Sequence, residues 1–545
     1  MSNMGNLIFI VSILLAFVSQ CIGLVYTPII NTTRGPVQGE VLKTVWNGIE
    51  YCSFKGIRYA EPAIGKLRFR APEPVKPWTS VLDATKEGSV CPQIFGDDTY
   101  IGDEDCLHLS VFTPKLDFHE DMALLPVMVW IYGGSFVKGF VNTTQFGPDF
   151  FIEQKVIVVS ISYRLGALGF LYLNNPSAPG NAGMKDQAMG LQWVQDNIAM
   201  FGGDKSQVTL FGQSAGGSSV LLHHLSDKSK DLFTRSITQS GTPLYLLFST
   251  PIEALASAHH LALNLGVDDF NTNRLFKKLV NVPAEKIVRV TNTMNLLPAV
   301  VTLPFMPTIE NPKNCPENTF ISECPITLVM TGKMKKCEKI FGMTSNEALA
   351  FTPSLFLVAN YTAVPRELTY NLINDTAQVV SDLAAASALD LTEKLLEAKN
   401  GKHPVYYYYL TYESKYSPHR ATGVPINGTA HADDNGFLFN EDDINAPTDP
   451  NDPFNVFRHE CVSLWANFAK YGNPTPKNNN PIDGVIWEPA GKSGRMLKIN
   501  ETFEMIPRVA SGKTLDIERL LYFSGPYISS CRKIDFSVSY NSIFL

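Results

Sequence analysis

The sequence VTLFGQSAGG, residues 208–217, changes from an apolar run to a glycine-rich motif. The apolar residues 208–211 predict a buried strand. The motif G-x-S-x-G that follows, centred on Ser214, is typical of a sharp turn from a strand into a helix, which lifts the serine hydroxyl above the sheet. This stretch therefore predicts a nucleophilic serine, while a plain turn is the alternative for the motif alone.

Two apolar runs rich in Val and Ile precede this stretch, at residues 127–131 and 156–161, and a segment with helical spacing follows them at residues 186–200. Continuous β-branched runs are typical of strands that are covered on both faces, as in a parallel sheet. The alternation of strand and helix predicts an α/β fold with a large, mainly parallel central sheet. Ligands of such folds bind beyond the carboxyl ends of the strands.

A serine hydroxyl needs a base to remove its proton and an acid to orient that base. His431 is the candidate base because it lies in a loop of small residues, GTAHADD at 428–434, where an imidazole can be steered. Glu347 is the candidate acid because it ends an apolar run that turns polar, at residues 340–347. From the residues alone, a surface histidine and a surface carboxylate are equally consistent interpretations. Asp375, Asp382 and Asp390 also lie between the serine and the histidine, and the pattern alone does not exclude them.

The negative charge of a tetrahedral intermediate needs backbone donors, each worth about 3 to 4 kcal/mol when well placed. In this motif the residue after the nucleophile, Ala215, supplies one N–H group. Further donors are expected from Gly133, Gly134 and Ser135, which form a tight loop after the predicted strand that ends at residue 131. A plain turn is the alternative interpretation of these glycines.

The first 23 residues are predicted to be a signal peptide, because an uncharged apolar run at residues 7–18 precedes small residues around a cleavage site at Gly23. The run is shorter than the roughly 20 apolar residues of a membrane span. We therefore expect a secreted, extracellular protein with no membrane span after signal removal. No linker, repeat or low-complexity run divides residues 24–545, which predicts one large domain.

Eight cysteines remain in the mature chain, and export into an oxidising compartment favours disulfides. The spacing suggests two short loops, one closed by Cys91 with Cys106 and one by Cys315 with Cys324, each worth on the order of 3 kcal/mol. The remaining cysteines stay unassigned: Cys52, Cys337, Cys461 and Cys531. The sequence contains no CxxC pair and no HExxH motif, so neither a metal nor another cofactor is expected.

The formal net charge of −7 argues against nucleic acid as a partner, because binding to phosphates requires a concentrated positive surface. Six sequons are candidates for glycosylation: Asn31, Asn142, Asn360, Asn374, Asn427 and Asn500. A count of six is close to what chance gives, so each sequon is a candidate only.

Seven stretches of the chain resemble the cholinesterase and carboxylesterase (type B) family of α/β-hydrolases, and the resemblance covers nearly the whole mature chain. They are FKGIRYAEP (54–62), LRF (67–69), EDCLHLSV (104–111), WIYGGSF (130–136), NAGMKDQ (181–187), FGGDKSQVTLFGQSAGG (201–217) and GMTSNE (342–347). The resemblance implies the α/β-hydrolase fold, with helices on both faces of the central sheet. The site it implies comprises a triad of Ser214, Glu347 and His431, oxyanion donors at Gly134, Ser135 and Ala215, and a disulfide between Cys91 and Cys106.

Three departures from the family pattern bear on the substrate. Family members commonly have glutamate where this chain has Gln213. Glutamine at this position resembles the juvenile hormone esterases and some other insect esterases. Ser135 stands where a third glycine is usual, and its side chain narrows the space for the acyl group. The loop between Cys91 and Cys106 lacks the tryptophan with which cholinesterases hold the choline cation. The absence of that tryptophan, together with the absence of the glutamate at position 213, argues against choline esters.

Together, these features predict hydrolysis of apolar small-molecule carboxylic esters through an acyl-enzyme. Two apolar stretches, residues 296–303 and 351–358, either line the substrate pocket or belong to plain core. Juvenile hormone esterase is the alternative within the enzyme class. The alternative of another class is a non-catalytic adhesion or binding protein of the same fold, since relatives that lost the nucleophile serve cell-surface recognition.

Overall fold

The computed structural model describes residues 24–96, 98–119, 121–243, 247–295, 303–347, 386–421 and 428–509. Within these residues the main feature is a sheet of eleven strands. Numbered along the chain, its strands are β1 (Glu40–Lys43), β2 (Glu50–Arg58), β3 (His108–Thr113), β4 (Leu125–Ile131), β5 (Ile157–Ile161), β6 (Gly203–Gln213), β7 (Arg235–Gln239), β8 (Lys339–Thr344), β9 (Val405–Leu410), β10 (Met496–Ile499) and β11 (Glu504–Ile506).

Across the sheet the strands follow the order β1-β2-β3-β5-β4-β6-β7-β8-β9-β10-β11. The strands from β5 to β10 in this order pair in parallel, and the outer pairs are antiparallel. Every residue of β3, β5 and β8 is buried, so both faces of the sheet are covered there. The predicted α/β fold with a large, mainly parallel sheet is confirmed.

The helices that cover this sheet are amphipathic or wholly buried segments between the strands. They are α1 (Asp149–Glu153), α2 (Gly166–Phe170), α3 (Ala182–Asn197), α4 (Ala215–Leu225), α5 (Pro251–Asn264), α6 (Thr272–Leu279), α7 (Ala284–Asn295), α8 (Pro325–Met330), α9 (Ser387–Lys399), α10 (Pro418–Ala421), α11 (Asn435–Leu438) and α12 (Pro453–Tyr471). Helix α4 packs on β6 and β7, α12 on β4 and β6, and α9 on β8 and β9. In the described part of the chain, no helix has both the length and the apolar character that crossing a bilayer demands.

Short strands and turns complete the architecture. Three small sheets are formed by Ile30–Asn31 with Pro36–Gln38 and Leu82–Asp83, by Gln93–Phe95 with Thr99–Ile101, and by Tyr172–Asn175 with Ala178–Pro179. Single 3-10 turns occur at Gly65–Leu67, Ile198–Phe201, Pro316–Asn318 and Asp442–Ile444. Because β4, β6, β8 and β9 run parallel, the loops that follow them all lie at the carboxyl ends of the strands, on the same side of the central sheet.

Candidate active site

Ser214 lies between β6 and α4 in a strained backbone conformation, with φ 58° and ψ −121°. Such a conformation costs a residue with a side chain about 1 to 3 kcal/mol, so the surroundings must hold it. The N–H of Ser214 donates to the carbonyl oxygen of Gln239 at 2.8 Å, and its own carbonyl oxygen accepts the N–H of Ser218 at 2.8 Å. The strand, turn and helix predicted from the G-x-S-x-G motif are confirmed.

The two glycines of the motif are needed because α4 begins against the end of β4. A Cβ on Gly216 would lie 2.0 Å from the carbonyl oxygen of Ile131, and one on Gly212 would lie 2.7 Å from the same atom. No side chain fits in either place without moving the backbone. Ala215 is the first residue of α4, so its N–H has no acceptor within the helix.

The loop after β4 lies directly against the nucleophile turn. A Cβ on Gly133 would lie 2.9 Å from Cβ of Ser214 and 2.7 Å from the carbonyl oxygen of Gln213. Gly134 and Ser135 follow with φ of 106° and 58°. The structure thus brings together the segments that contain the predicted donor residues, and their donor role stays a prediction.

Glu347 and His431 form a close pair at the ends of neighbouring strands. Nδ1 of His431 lies 2.5 Å from Oε2 of Glu347. The other carboxylate oxygen accepts the hydroxyl of Ser240 at 2.7 Å and the N–H of Thr344 at 2.8 Å. Glu347 is buried, and all the hydrogen bonds it accepts favour its ionised form.

A backbone bridge sets the register of this pair. Asn346 and Ala430 pair in parallel outside the named strands, and the N–H of Asn346 donates to the carbonyl oxygen of Thr429 at 3.0 Å. The residues that follow the bridge on each side are Glu347 and His431. Their side chains therefore meet although 84 positions separate them in sequence.

His431 reaches from the acid to the nucleophile turn. Its Nε2 lies 3.1 Å from the amide nitrogen of Gln213, the residue that precedes Ser214. An amide N–H can only donate, so Nε2 of His431 accepts this bond and Nδ1 carries the proton shared with Glu347. This tautomer leaves Nε2, the nitrogen on the side of the nucleophile turn, without a proton and able to accept one, as a general base requires.

The charges around the pair shift the pKa of both members. Burial lowers the pKa of His431, but the charge and hydrogen bond of Glu347, aided by Asp434 and Asp433, raise it above the ordinary value of 6.5. Burial raises the pKa of Glu347, yet the His431 charge and the hydrogen bonds from His431, Ser240 and Thr344 hold it below 4.5. The carboxylate is thus ionised where it orients the imidazole.

Two supporting interactions behind His431 were not foreseen from the sequence. Asp433 accepts Nδ1 of the buried His419 at 2.6 Å and the N–H of Ala430 at 2.7 Å. Asp434 accepts the amide of Gln239 at 2.9 Å and the hydroxyl of Tyr408 at 3.0 Å; burial raises its pKa to about 6. The repeated acid in HADD was the available signal, but nothing local pointed to these partners.

The other candidate acids and histidines lie elsewhere. Asp390 is buried in α9, where it pairs with Lys394 and Arg508, so it is not the acid beside His431. Asp375 and Asp382 lie outside the described residues. The remaining histidines nearest the motif, His223 and His224, are buried within α4 and hydrogen-bond to neighbouring side chains.

One of the two predicted disulfides is confirmed and the other is wrong. Cys91 and Cys106 are joined by a disulfide, whereas Cys315 has a free thiol. Cys324 is disulfide-bonded, and its partner lies outside the described residues. Short spacing makes a small disulfide loop possible but does not decide which cysteines pair. Between these two cysteines, the N–H groups of residues 320 and 321 donate to the carboxylate of Glu310. Cys52, Cys337 and Cys461 are free and buried, and Cys531 lies outside the described residues.

Several other predictions fall partly outside the described residues. Asn31 is exposed and Asn142 and Asn500 are half-buried, so these sequons stay glycosylation candidates. The sequons at Asn360, Asn374 and Asn427 lie outside the described residues. The signal peptide and the apolar stretch 351–358 also lie outside them, as does the stretch 296–303 except for Leu303.

Comparison with known proteins gives consistent matches over most of the chain. The carboxylesterase family matches residues 26–378 and 357–516. A juvenile hormone esterase of Tribolium castaneum is 31% identical over 507 residues, which cover 83% of this chain and 85% of that protein. A carboxylic ester hydrolase of Bombus ignitus is 32% identical over 492 residues, covering 82% and 86%. The crystal structure of juvenile hormone esterase from Manduca sexta, with OTFP covalently attached, has a TM-score of 0.79 at 26% identity and covers 93% of this chain and 99% of that chain.

Proposed function

This chain belongs to the carboxylesterase family and is a carboxylic ester hydrolase, and we propose that Ser214, His431 and Glu347 are its catalytic triad. The observation that carries the proposal is the 2.5 Å contact between Glu347 and His431, whose ring extends to the turn that holds Ser214. These residues have the chemistry of a nucleophile, a general base and an orienting carboxylate.

In the acylation step, Oγ of Ser214 attacks the ester carbonyl carbon while Nε2 of His431 takes the hydroxyl proton. Glu347 stabilises the imidazolium that forms. The carbonyl oxygen becomes negative and would accept N–H groups of Gly134, Ser135 and Ala215. When the intermediate collapses, the bond to the alcohol oxygen breaks, and His431 returns its proton to the leaving alcohol.

Deacylation repeats these steps with water as the nucleophile. His431 takes a proton from water, the resulting hydroxide attacks the acyl carbon, and the bond to Oγ of Ser214 breaks as the serine regains a proton. The acid product leaves and the free enzyme is restored. Both half-reactions use the same base, so its tautomer must be the same at the start of each.

We propose that the substrates are apolar small-molecule esters. Gln213 places a neutral amide beside His431, where a carboxylate would attract a cationic substrate. The cavity beside the loop after β4 is lined by apolar side chains, among them Val137, Leu165 and Val288, and by three polar ones, none of them acidic: Lys138, Thr291 and Asn292. Neither feature supplies a negative group for a quaternary ammonium.

Juvenile hormone esterase is the more specific candidate. Two observations favour it: relatives of that name match most of the chain, and Gln213 agrees with the pattern noted for those esterases. Comparing kcat/KM for the hormone with kcat/KM for simple aliphatic esters tests it. A hormone value no higher than the aliphatic values would leave a general carboxylesterase.

The triad is tested by replacing Ser214 with alanine. We expect kcat on a short-chain aryl ester to fall by roughly four to six orders of magnitude and labelling by an organophosphate to disappear. Circular dichroism of S214A should match the wild type, because alanine at this position removes one atom. Retained turnover or labelling in S214A would contradict the triad, and absence of turnover in a folded wild type would favour the non-catalytic alternative.

We also propose that the protein is secreted, with residues 24–545 as the mature domain. The Cys91–Cys106 disulfide supports this, because such bonds persist in oxidising compartments. Expression of the full chain in insect cells should give protein in the medium whose N-terminal sequence starts at Leu24. Retention in the cell with an intact N-terminus would contradict secretion.

A further inference from the structure

The loop at residues 133–139 turns back on itself directly after β4. Its backbone has positive φ at Gly134 (106°), Ser135 (58°) and Phe136 (62°). The carbonyl oxygen of Gly134 accepts the N–H of Lys138 at 3.1 Å, which closes the turn. Successive left-handed residues persist only where their surroundings hold them. The directions of the N–H groups of Gly134 and Ser135 therefore depend on what holds the far end of the loop.

Gln93 holds that far end, Gly139, through both backbone polar groups. The amide nitrogen of Gln93 donates to the carbonyl oxygen of Gly139 at 3.0 Å, and its amide oxygen accepts the N–H of Gly139 at 2.8 Å. Gln93 is fully buried. A Cβ on Gly139 would lie 2.4 Å from the ring of Tyr132 and 2.7 Å from the carbonyl oxygen of Gly133. Gly139 thus packs on the start of the loop, and moving it would move the donors.

Gln93 is itself anchored beside the disulfide. Its amide nitrogen also donates to the carbonyl oxygen of Cys91 at 3.0 Å, and Cys91 is buried and joined to Cys106. A second contact runs alongside, since Glu87 accepts the N–H and the hydroxyl of Thr143 at 3.2 and 2.8 Å. The segment 87–93 therefore borders the segment 139–143 at two points.

We propose that Gln93 is a positioning residue for the oxyanion donors, linking the Cys91–Cys106 loop to the loop at residues 133–139. This inference rests on the proposed function, because it requires Gly134 and Ser135 to act as donors. Gln93 touches no reacting atom. It acts by holding Gly139, and its effect is expected in transition-state stabilisation and not in binding of the ground-state ester.

The test is Gln93→Glu, which keeps the size of the side chain. A carboxylate can accept the N–H of Gly139 but cannot donate to the carbonyl oxygens of Gly139 and Cys91. We expect kcat per titrated active site to fall roughly 10- to 100-fold with KM changed less than about 3-fold. Inhibition by a trifluoromethyl ketone, which forms a tetrahedral adduct with the serine, should weaken by the same factor as kcat/KM.

Gln195→Glu is the matched control. Its amide nitrogen likewise bridges two carbonyl oxygens, those of Lys205 and Leu232 at 3.0 and 2.9 Å, but at the far end of β6 from Ser214. It should lower the unfolding temperature and leave kcat and the ketone inhibition constant unchanged. If Q93E does not fold, Q93N, which is one methylene shorter, serves as the weaker variant and should show a smaller loss of the same kind.

The outcomes separate this inference from the proposed function. Loss of kcat with a matching loss of ketone affinity in an active, folded variant supports positioning by Gln93. A lower unfolding temperature with unchanged kcat and ketone affinity would show a purely structural role and overturn the inference. A wild-type enzyme without ester turnover would instead overturn the function on which the inference rests.

Discussion

The two halves of the site are built in different ways. On the nucleophile side the backbone does the positioning, because the strained turn at Ser214 packs on Gly133 and only glycine fits where α4 starts against β4. On the histidine side one backbone bridge, between Asn346 and Ala430, sets the register. Side chains complete the positioning there, because Ser240 donates to Glu347 and Asp433 accepts the N–H of Ala430. Close backbone contacts allow only glycine at certain positions of the chain. Each side-chain contact, in contrast, can be lost while the others remain. The nucleophile side should therefore tolerate substitution less well.

Among substitutions outside the triad, the strongest effect is expected for Gly133→Ala. The new Cβ would overlap Gln213 and Ser214 and displace the loop at residues 133–139. We expect kcat to fall by about two to three orders of magnitude, as when one oxyanion donor is lost. The measurement is kcat on an aryl ester, corrected by active-site titration.

Gly436→Ala is the control for G133A. A Cβ on Gly436 would have its nearest neighbour at 3.3 Å, on Pro418, so little needs to move. Its kcat should stay within about 2-fold of the wild type, since substitutions without overlap rarely cost much. Equal losses of kcat in G133A and G436A would contradict the proposed difference between the nucleophile side and the histidine side.

A smaller effect is expected for Asp433→Asn. Oδ2 of Asp433 accepts both Nδ1–H of His419 and the N–H of Ala430, and Oδ1 accepts the backbone N–H of His419 at 3.3 Å. In asparagine one of these oxygens becomes an NH2 group that cannot accept, and the charge that pairs with His419 is lost. One lost hydrogen bond costs about 1 to 3 kcal/mol, so kcat should fall roughly 10-fold and the unfolding temperature should drop. Steady-state kinetics gives kcat, and thermal unfolding of the same sample gives the unfolding temperature.

Asp452→Asn controls for the chemistry of that substitution. Asp452 caps α12 by accepting the N–H of Phe454 at 2.9 Å, and asparagine caps a helix equally well. Neither kcat nor the unfolding temperature should change in D452N. If D433N also leaves kcat unchanged, the pair of Asp433 with His419 does not position His431.

The mildest change is Gln213→Glu, which alters the pH dependence of the histidine side. Only neutral His431 acts as the base, so kcat/KM should fall as the pH drops through its raised pKa, above 6.5. A carboxylate beside Nε2 favours the imidazolium and should raise that pKa further. The acid limb of the kcat/KM profile should therefore move upward, with the plateau at high pH nearly unchanged.

Gln192→Glu adds the same charge on the exposed face of α3. Its acid limb should coincide with that of the wild type, because solvent screens a distant surface charge. An acid limb that stays in place in Q213E would mean that Gln213 does not contact Nε2 of the base during turnover.

The accuracy of the sequence predictions follows the same division. The turn at Ser214 and the strands β4, β5 and β6 were predictable, because apolar runs and glycines at fixed spacing report on local geometry. The acid stayed ambiguous, with Asp375, Asp382 and Asp390 as alternatives to Glu347, until the bridge between Asn346 and Ala430 placed Glu347 beside His431. The disulfide predicted between Cys315 and Cys324 failed because short spacing says nothing about where an intervening loop is anchored.

The amino-acid order was sufficient for the strand, the turn and the nucleophile, since neighbours along the chain impose them. The folded chain alone showed that Asp433 contacts His419, that Ser240 contacts Glu347 and that Gln93 holds Gly139. The physical reason is that these hydrogen bonds join segments which pack together only after the sheet has formed. Their strength depends on burial and distance, neither of which is encoded in spacing along the chain.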